Sequence, residues 1–473
     1  MVKRIKSKLT VFLFHRSLRI IDNIGLYHAL NTSNLVIPIF IFDPRQITMN
    51  EYFNSNAFQF LLDSLNDLQE QFQLLRKKIY FFHNNPISVL NSIFKELKYD
   101  SIVLNKDYTP FSLEREQKIR EFCNKHKIHL TAVHDCVINN PDVIKSQKHT
   151  PYTIFTPYFK FSRKIPVIEP QEFNEEKSDQ FVEIELGNAF LLKEARQKFL
   201  KSNKIPTQKG GREEGIKILK SLQKYIDYDK NRNFPGLNGT TGLSPHLKFG
   251  SISIREAYSH ISKILGKEHP LLRQLYWHDF FTYIGFHFPH VFIKSFKEKY
   301  NQIKWNNDDL KFALWKQGIT GFPIVDAGMR ELNSTGIMHN RVRMIVASFL
   351  TKDLHINWQW GERYFAQMLT DYDPALNNGN WQWAASTGCD SQPYFRIFNP
   401  WSQQKTYDPD AIYIKKWIPE LADYSAKIIH NLEKKRPKEL LEDVYPKPIV
   451  NHKKERELTL FMFKTLSGKE VSF

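Results

Sequence analysis

An α/β domain built on a doubly wound, Rossmann-like parallel sheet, followed by an all-α domain, is the architecture this sequence predicts. Three observations carry it. Five apolar runs of β type alternate with helical patterns up to residue 138, period-two alternation almost vanishes after Leu191, and all nine tryptophans fall between Trp277 and Trp417.

The five runs are LTVFLF (9–14), LVIPIFIF (35–42), IYFF (79–82), SIVL (101–104) and HLTAVHDCVI (129–138). Between them, 56–75, 87–97 and 113–126 carry apolar residues at three- and four-residue spacing, as amphipathic helices do. Strand, helix, strand repeated in this way predicts a parallel sheet with helical crossovers. The first turn, FHRSLRIIDN, has no GxGxxG, so an ordinary dinucleotide site is not expected there. From about 140 the pattern dissolves into segments such as PVIEPQEFNEEKSD, of the kind that join domains. The expected organisation is an α/β domain over 1–138, a linker over 139–195 and a helical domain over 196–473.

Composition narrows the function. A chain of 473 residues is too long for one core, and 41% hydrophobic with 25% charged residues is globular. No apolar run reaches the roughly 18 residues of a membrane span. The opening MVKRIKSKLTVFLF lacks a small-residue cleavage site and reads as the first strand. Cys123, Cys136 and Cys389 have no CxxC spacing, so neither a zinc site nor a disulfide framework is expected, which fits a reducing compartment; no metal is predicted. A net charge of +17 favours a polyanionic partner.

One stretch poses a sharper question. NNGNWQWAAS (377–386) puts two tryptophans, three asparagines and a glycine in ten residues. A buried strand does not need the amides, and a solvated loop does not need the indoles. Other segments are as particular. In TTGLSPHLKFGSIS (240–253), Ser244 and Pro245 read as a helix cap and first turn, whose free N–H groups, with the hydroxyls of Thr240 and Thr241, suit a diphosphate as well as they suit an ordinary helix start. In MHNRVRM, helical spacing puts Asn340 and Met344 on one face while Arg341 and Arg343 point elsewhere. Aromatics interleaved with cations suit a nucleic-acid base or an extended ring system.

Together with RQLYWHDFFTYIGFH (273–287) and DYDPALNNGNWQWAASTGCDSQPYFRIFNP (371–400), these segments resemble the photolyase/cryptochrome family, most closely its class I type cyclobutane pyrimidine dimer (CPD) photolyases. The resemblance implies an α/β antenna domain, a helical domain holding FAD, and light-driven repair of UV-damaged DNA, double- or single-stranded, by a monomer in the cytoplasm, or in the nucleus of a eukaryotic or viral setting. A cryptochrome-type photoreceptor, or a (6-4) photolyase, is the alternative.

The resemblance also assigns residues. Tyr228, Thr240, Thr241, Leu243, Ser244, Asn340, Arg343 paired with Asp353, Asp371, Asp373 and Asn377 match cofactor positions, with Asn377 facing flavin N5 and Arg341 reaching toward the lesion's phosphates. Trp381, Trp358 and Trp305 match an electron-transfer chain from flavin to surface, so that 377–386 reads as a loop giving Trp381 to the cofactor and Trp383 to the lesion. Trp277 matches the second wall of the lesion pocket, and Gln274 and Met344 match lesion contacts. Arg232, Arg341 and Arg396 match DNA-facing cations. The (6-4) enzymes resemble histidine at 340 and 344, so Asn340 and Met344 favour CPD repair. Gln274 and His278 depart from the usual Glu and Arg. The resemblance leaves open a second antenna chromophore, whether folate, deazaflavin or flavin, near LNKDYTPFSLEREQ (104–117).

Overall fold

The computed structural model describes residues 7–187, 189–200 and 207–466. The first six residues of the predicted α/β domain and the last seven of the helical domain lie outside the described residues. The chain divides into two compact units: Met1–Lys224 with Thr241–Pro289, and Tyr225–Thr240 with His290–Phe473.

In the first unit, strands β1 (Ser7–Phe14), β2 (Ser33–Phe42), β3 (Tyr80–His83), β4 (Ser101–Asn105) and β5 (His129–Val133) form one sheet in the order β3-β2-β1-β4-β5, every neighbouring pair parallel. The main crossover helices are α1 (Ile24–Thr32), α2 (Ser55–Leu74), α3 (Pro86–Leu97) and α4 (Pro110–His126). Asn23, Asn54, Asn85 and Thr109 cap them, each accepting a first-turn backbone N–H, and Pro86 and Pro110 fill positions that need no donor. Phe12, Phe14, Phe40 and Phe42 enter one core while Val11, Leu13, Ile39 and Ile41 enter the other. Both faces are covered, which is why the strands read as continuous apolar runs.

The fifth run stops being strand at Val133, because Asp135 turns into a buried charge cluster. Arg19 and Arg255 each donate to Asp135 at 2.8 Å, and Arg255 reaches Asp22 at 3.0 Å; none of these side chains is more than 2% exposed. The predicted linker contains a helix, α5 (Phe155–Ser162), and much further along the chain come α6 (Ile254–Leu265), which carries Arg255, and α7 (Pro270–His287). Asp279 on α7 accepts the backbone N–H groups of Ile138 and Asn139 at 2.8 and 3.2 Å. These bonds draw α6 and α7 into the first unit, whereas sequence periodicity puts the change of architecture at 138 and 195. Pairings across more than a hundred residues leave no periodic trace.

The second unit contains α8 (Asp309–Gln317), α9 (Pro323–Thr335), α10 (Asn340–Lys352), α11 (Trp358–Met368), α12 (Pro374–Ala385) and α13 (His452–Thr465), and no strand among its described residues. Trp315, Trp358, Trp381 and Trp401 are buried in its core; Trp305, Trp360, Trp383 and Trp417 pack at that core's edge. No helix among the described residues is long and apolar enough to cross a membrane.

Candidate active-site residues

The stretch NNGNWQWAAS is helical, not the loop its composition suggests. Asp373 caps α12, its Oδ1 accepting from the N–H groups of Ala375 and Leu376 at 3.0 and 3.3 Å, and Pro374 opens the first turn. The amides have separate partners. Asn377 Nδ2 donates to the backbone oxygen and to Oε1 of Glu362 on α11, at 3.0 and 2.9 Å. Asn378 Nδ2 and Gln382 Nε2 both donate to the Val291 carbonyl at 2.9 Å. Asn377 and Trp381, one turn apart, share a buried face, while Trp383 is half-buried elsewhere on the helix.

Trp381 meets the rings of Phe365 at 4.9 Å and Trp315 at 6.2 Å between centroids. The outer carbons of its ring also abut Gly361 of α11, where a Cβ would stand 2.1 Å from the indole. Its Nε1 is buried with no hydrogen-bond partner. Trp358 opens α11 in the same core, and Trp305 packs on the edge of that core and against Tyr300, Ile303 and Phe463. The backbone N–H of Asn306 donates to the His355 carbonyl, and that of Asn357 to Asn307 Oδ1, both at 2.9 Å, which fixes the segment after Trp305 against the approach to α11. The structure therefore brings Trp381, Trp358 and Trp305 to one aromatic core and its edge.

Arg343 differs from expectation. Its Nη2 lies 3.1 and 3.0 Å from the two carboxylate oxygens of Asp371, and its Nε donates to the Met338 carbonyl. Asp353, the partner implied by resemblance, is fully buried and bonded instead to His452 of α13. It closes the end of α10 against the last helix, and burial, opposed by His452, raises its pKa to about 6. At the other end of α10, His339 Nδ1 accepts the Arg341 N–H at 3.2 Å. Burial, then Arg343 and Arg341, lower that imidazole to about 4, so it stays neutral with its lone pair on the cap. Asn340 Nδ2 is 3.9 Å from Met344 Sδ. The Arg341 guanidinium donates to Asn233 at 2.8 Å and stands 4.2 Å over the Tyr407 ring, so it is held by its own unit. Arg232 lies over buried Tyr228 and pairs with Asp229 at 3.4 Å; Thr240 and Arg396 are exposed.

Two residues of this unit carried no signal in the sequence. Glu362, seven per cent exposed, is pushed up to about 7 by burial despite the bond from Asn377. Lys352, one per cent exposed, donates to the carbonyl of Ala385 and the hydroxyl of Ser386 at 3.1 and 3.0 Å, so its amine closes the C-terminal end of α12; burial holds its pKa well below the usual lysine range. Both are single polar residues in apolar surroundings, recognisable only once their partners are known.

In the first unit the phosphate-loop expectation needs a correction. Ser244 is the first residue of the six-residue helix Ser244–Phe249, not its cap; Leu243 holds the cap position without a side-chain bond, and Thr241 Oγ1 accepts the Leu243 N–H at 3.3 Å. Gln274 and Trp277 stand half-buried on α7. Trp277 stacks face to face on Phe155 of α5, with 3.6 Å between centroids and 8° between planes. Phe155, hidden in the predicted linker, thus backs a residue assigned to the lesion.

Residues 10–175 match the family model for DNA photolyase, and residues 271–465 match that for the FAD binding domain of DNA photolyase. The chain belongs to the DNA photolyase family. Among photolyase relatives, the deoxyribodipyrimidine photo-lyase of Vibrio cholerae is 34% identical over 96% of this chain and 99% of its own. That of Synechococcus is 35% identical over 93% of each. An archaeal photolyase from Sulfolobus tokodaii, solved with two FAD molecules, superposes with a TM-score of 0.87 at 40% identity, covering 97% of this chain and all of the other. A class III photolyase from Agrobacterium tumefaciens gives 0.89 at 28%, covering 99% and 100%. The residues of the second unit suit a flavin. Asn377 commits both amide hydrogens to Glu362, leaving Oδ1 as an acceptor; Arg343 and Asp371 supply paired charge; and Trp381 contributes a buried indole with an unpartnered N–H.

Proposed function

We propose that this photolyase repairs cyclobutane pyrimidine dimers in DNA under light. Likeness along nearly the whole chain to proteins named deoxyribodipyrimidine photo-lyase carries the reading. FAD, when bound and reduced, supplies an electron on absorbing light, and dimer splitting needs no net oxidation or reduction.

The chain's own residues bind, orient and shield. Arg343 with Asp371 holds the polar edge of the cofactor, Asn377 presents its Oδ1 to the ring, and Tyr228, Thr240, Thr241, Leu243, Ser244, Asn340 and Asp373 hold the remainder. Trp277, braced by Phe155, and Trp383 offer flat surfaces for bases taken out of the stack, which a damaged pair leaves at least cost. Gln274 supplies an uncharged donor and acceptor, and Met344 an apolar contact. Trp305, Trp358 and Trp381 conduct electrons inward. Arg232, Arg341 and Arg396, on a chain of net charge +17, favour DNA. A second, light-harvesting chromophore suits the crevice beyond the ends of β1 and β4, where the strand order reverses and Arg16 pairs with Asp107 at 3.3 Å; the Sulfolobus photolyase with two FAD molecules supports this. The protein acts in the cytoplasm, in keeping with its bacterial and archaeal relatives, and as a monomer.

The test is repair by purified, photoreduced protein of two oligonucleotides, one with a CPD and one with a (6-4) photoproduct, in blue light and in darkness. Light-dependent loss of the CPD alone is expected. Repair of the (6-4) product would overturn the substrate assignment, and repair of neither by a flavin-loaded protein would make it a photoreceptor.

A further inference from the structure

A buried indole that gives up an electron needs a neighbour to refill it. Among the described residues, the rings that touch Trp381 are those of Phe365 and Trp315, at 4.9 and 6.2 Å between centroids, and of the two only Trp315 is an indole. The two tryptophans differ in their N–H groups. Trp315 Nε1 donates to the Val346 carbonyl of α10 at 3.2 Å, whereas Trp381 Nε1 has no partner. A hydrogen bond strengthens when its donor becomes positively charged, so a vacancy formed on Trp381 is better held on Trp315.

Trp315 is fully enclosed, but its other ring neighbours lead outward. Phe312, one turn earlier on α8, lies 5.7 Å from it with 15° between planes, and Trp360 of α11 meets Phe312 edge-on at 5.2 Å. Trp360 is half-buried, so part of its ring reaches water. Tyr364, one turn further along α11, touches Trp315 at 5.9 Å and Phe312 at 6.5 Å, yet it is a poor terminus. A phenol that loses an electron must also lose its proton, and the Tyr364 hydroxyl donates at 2.6 Å to Asn333 Oδ1, an amide oxygen that does not keep one. The ammonium of Lys316, 5.9 Å from that ring's centre, opposes a second positive charge there.

We infer that Trp315 and Trp360, bridged by the Phe312 ring, form a second electron route to Trp381, separate from the one through Trp358 and Trp305. The inference rests on the reading that Trp381 is the innermost donor to the flavin. In each turn one electron passes from Trp360 to Trp315, from Trp315 to Trp381, and from Trp381 to the light-excited oxidised flavin, which gains it. Phe312 is harder to oxidise than an indole and serves only as the bridge. The vacancy on Trp360 releases the indole proton to water. An added thiol then returns an electron and a proton, and two turns convert two thiols to one disulfide. With two exits, loss of either outer tryptophan leaves photoreduction in place.

The experiment is photoreduction of the flavin in purified holoenzyme with dithiothreitol, followed by absorbance, for wild type, W381F, W358F and W358F/W360F. Mass-spectrometric mapping of oxidised tryptophan after illumination in air without thiol accompanies it. W358F should keep at least a tenth of the wild-type rate, W358F/W360F should be at least tenfold slower than W358F, and oxidation in illuminated W358F should fall on Trp360. Equal rates in W358F and the double variant would overturn the inference, as would a folded, flavin-loaded W358F with no photoreduction or with Trp360 unmodified. Trp358 is buried, so if W358F fails to fold the same comparison in a W305F background, at the edge of the core, decides with the same expectations. A W381F protein that photoreduces like wild type would overturn the reading of the innermost donor and this inference with it. A W381F protein that does not photoreduce, beside W358F and W358F/W360F of equal rate, would overturn the second route alone.

Discussion

Gly361→Ala tests whether the placement of Trp381 depends on a missing methyl group. Gly361 lies within α11, where Ala would ordinarily stabilise by about 0.5–1 kcal/mol through backbone entropy. Here the new Cβ would sit 2.1 Å from one ring carbon of Trp381 and 2.5 Å from another, and 2.5 Å from Leu350. Carbon atoms pack at about 3.5–4.0 Å, so the indole or the helix must move by about 1.5 Å. Forcing an extra methyl into a filled core costs about 1–3 kcal/mol, and this clash is at the severe end. The net expectation is a loss of about 1–2 kcal/mol, or roughly 2–4 °C in melting temperature per kcal/mol for a unit of this size. Photoreduction of bound flavin, followed by absorbance, should slow because electron exchange falls steeply with separation. The control is the same change in a Trp381→Phe background, where the clashing indole atoms are gone and only the contact with Leu350 remains: there Gly361→Ala should cost clearly less than in wild type, giving a coupling energy of opposite sign. Equal costs in the two backgrounds, or wild-type stability and photoreduction in the single variant, would refute the reasoning.

Other consequences are as direct. Asp135→Ala leaves Arg19 and Arg255 buried without their shared carboxylate and should cost about 3–5 kcal/mol, read as a lowered denaturant midpoint. The folded pKa of Glu362, about 7, lies above its ordinary 4.5, so its contribution to stability is fully present below the ordinary value and is lost as pH rises through about 7. Melting temperature should therefore fall from acid toward neutral pH, and E362Q should flatten the profile. Trp277→Ala should weaken binding of CPD-containing DNA more than of undamaged DNA in a filter or fluorescence assay, since it removes a stacking surface and not a phosphate contact. Arg396→Ala should weaken both alike and reduce the salt slope of binding by about one.

Much of the fold was legible because burial writes itself into patterns of fixed period. A parallel sheet covered on both faces leaves apolar runs, and each of the five runs contains or meets a strand. What escaped is non-periodic. Arg255 meets Asp22 across 233 residues, and no window of sequence shows that. Phe155 sits in a stretch whose prolines and lysines suggest only a connection, though it braces Trp277. Asparagine and glycine are poor helix formers, so 377–386 reads as a loop; the bonds from Asn377 to Glu362 and from Asn378 to Val291 outweigh that propensity. Resemblance located Arg343 but not its partner, because Asp353 and Asp371 are equally good carboxylates on paper and differ only in what His452 occupies.

The charge cluster of the first unit also imposes an order on synthesis. Arg19, Asp22 and Asp135 leave the ribosome well before Arg255, and residues 225–240, which belong to the other unit, emerge in between. The sheet can pair before then, since all five of its strands lie ahead of residue 134. Two carboxylates then share one arginine, in a place that the finished unit will seal from water. A nascent chain paused before Ile254 should thus hold a formed sheet with a wet, electrostatically incomplete edge, open to proteases and chaperones, and the arrival of α6 is the event that closes it.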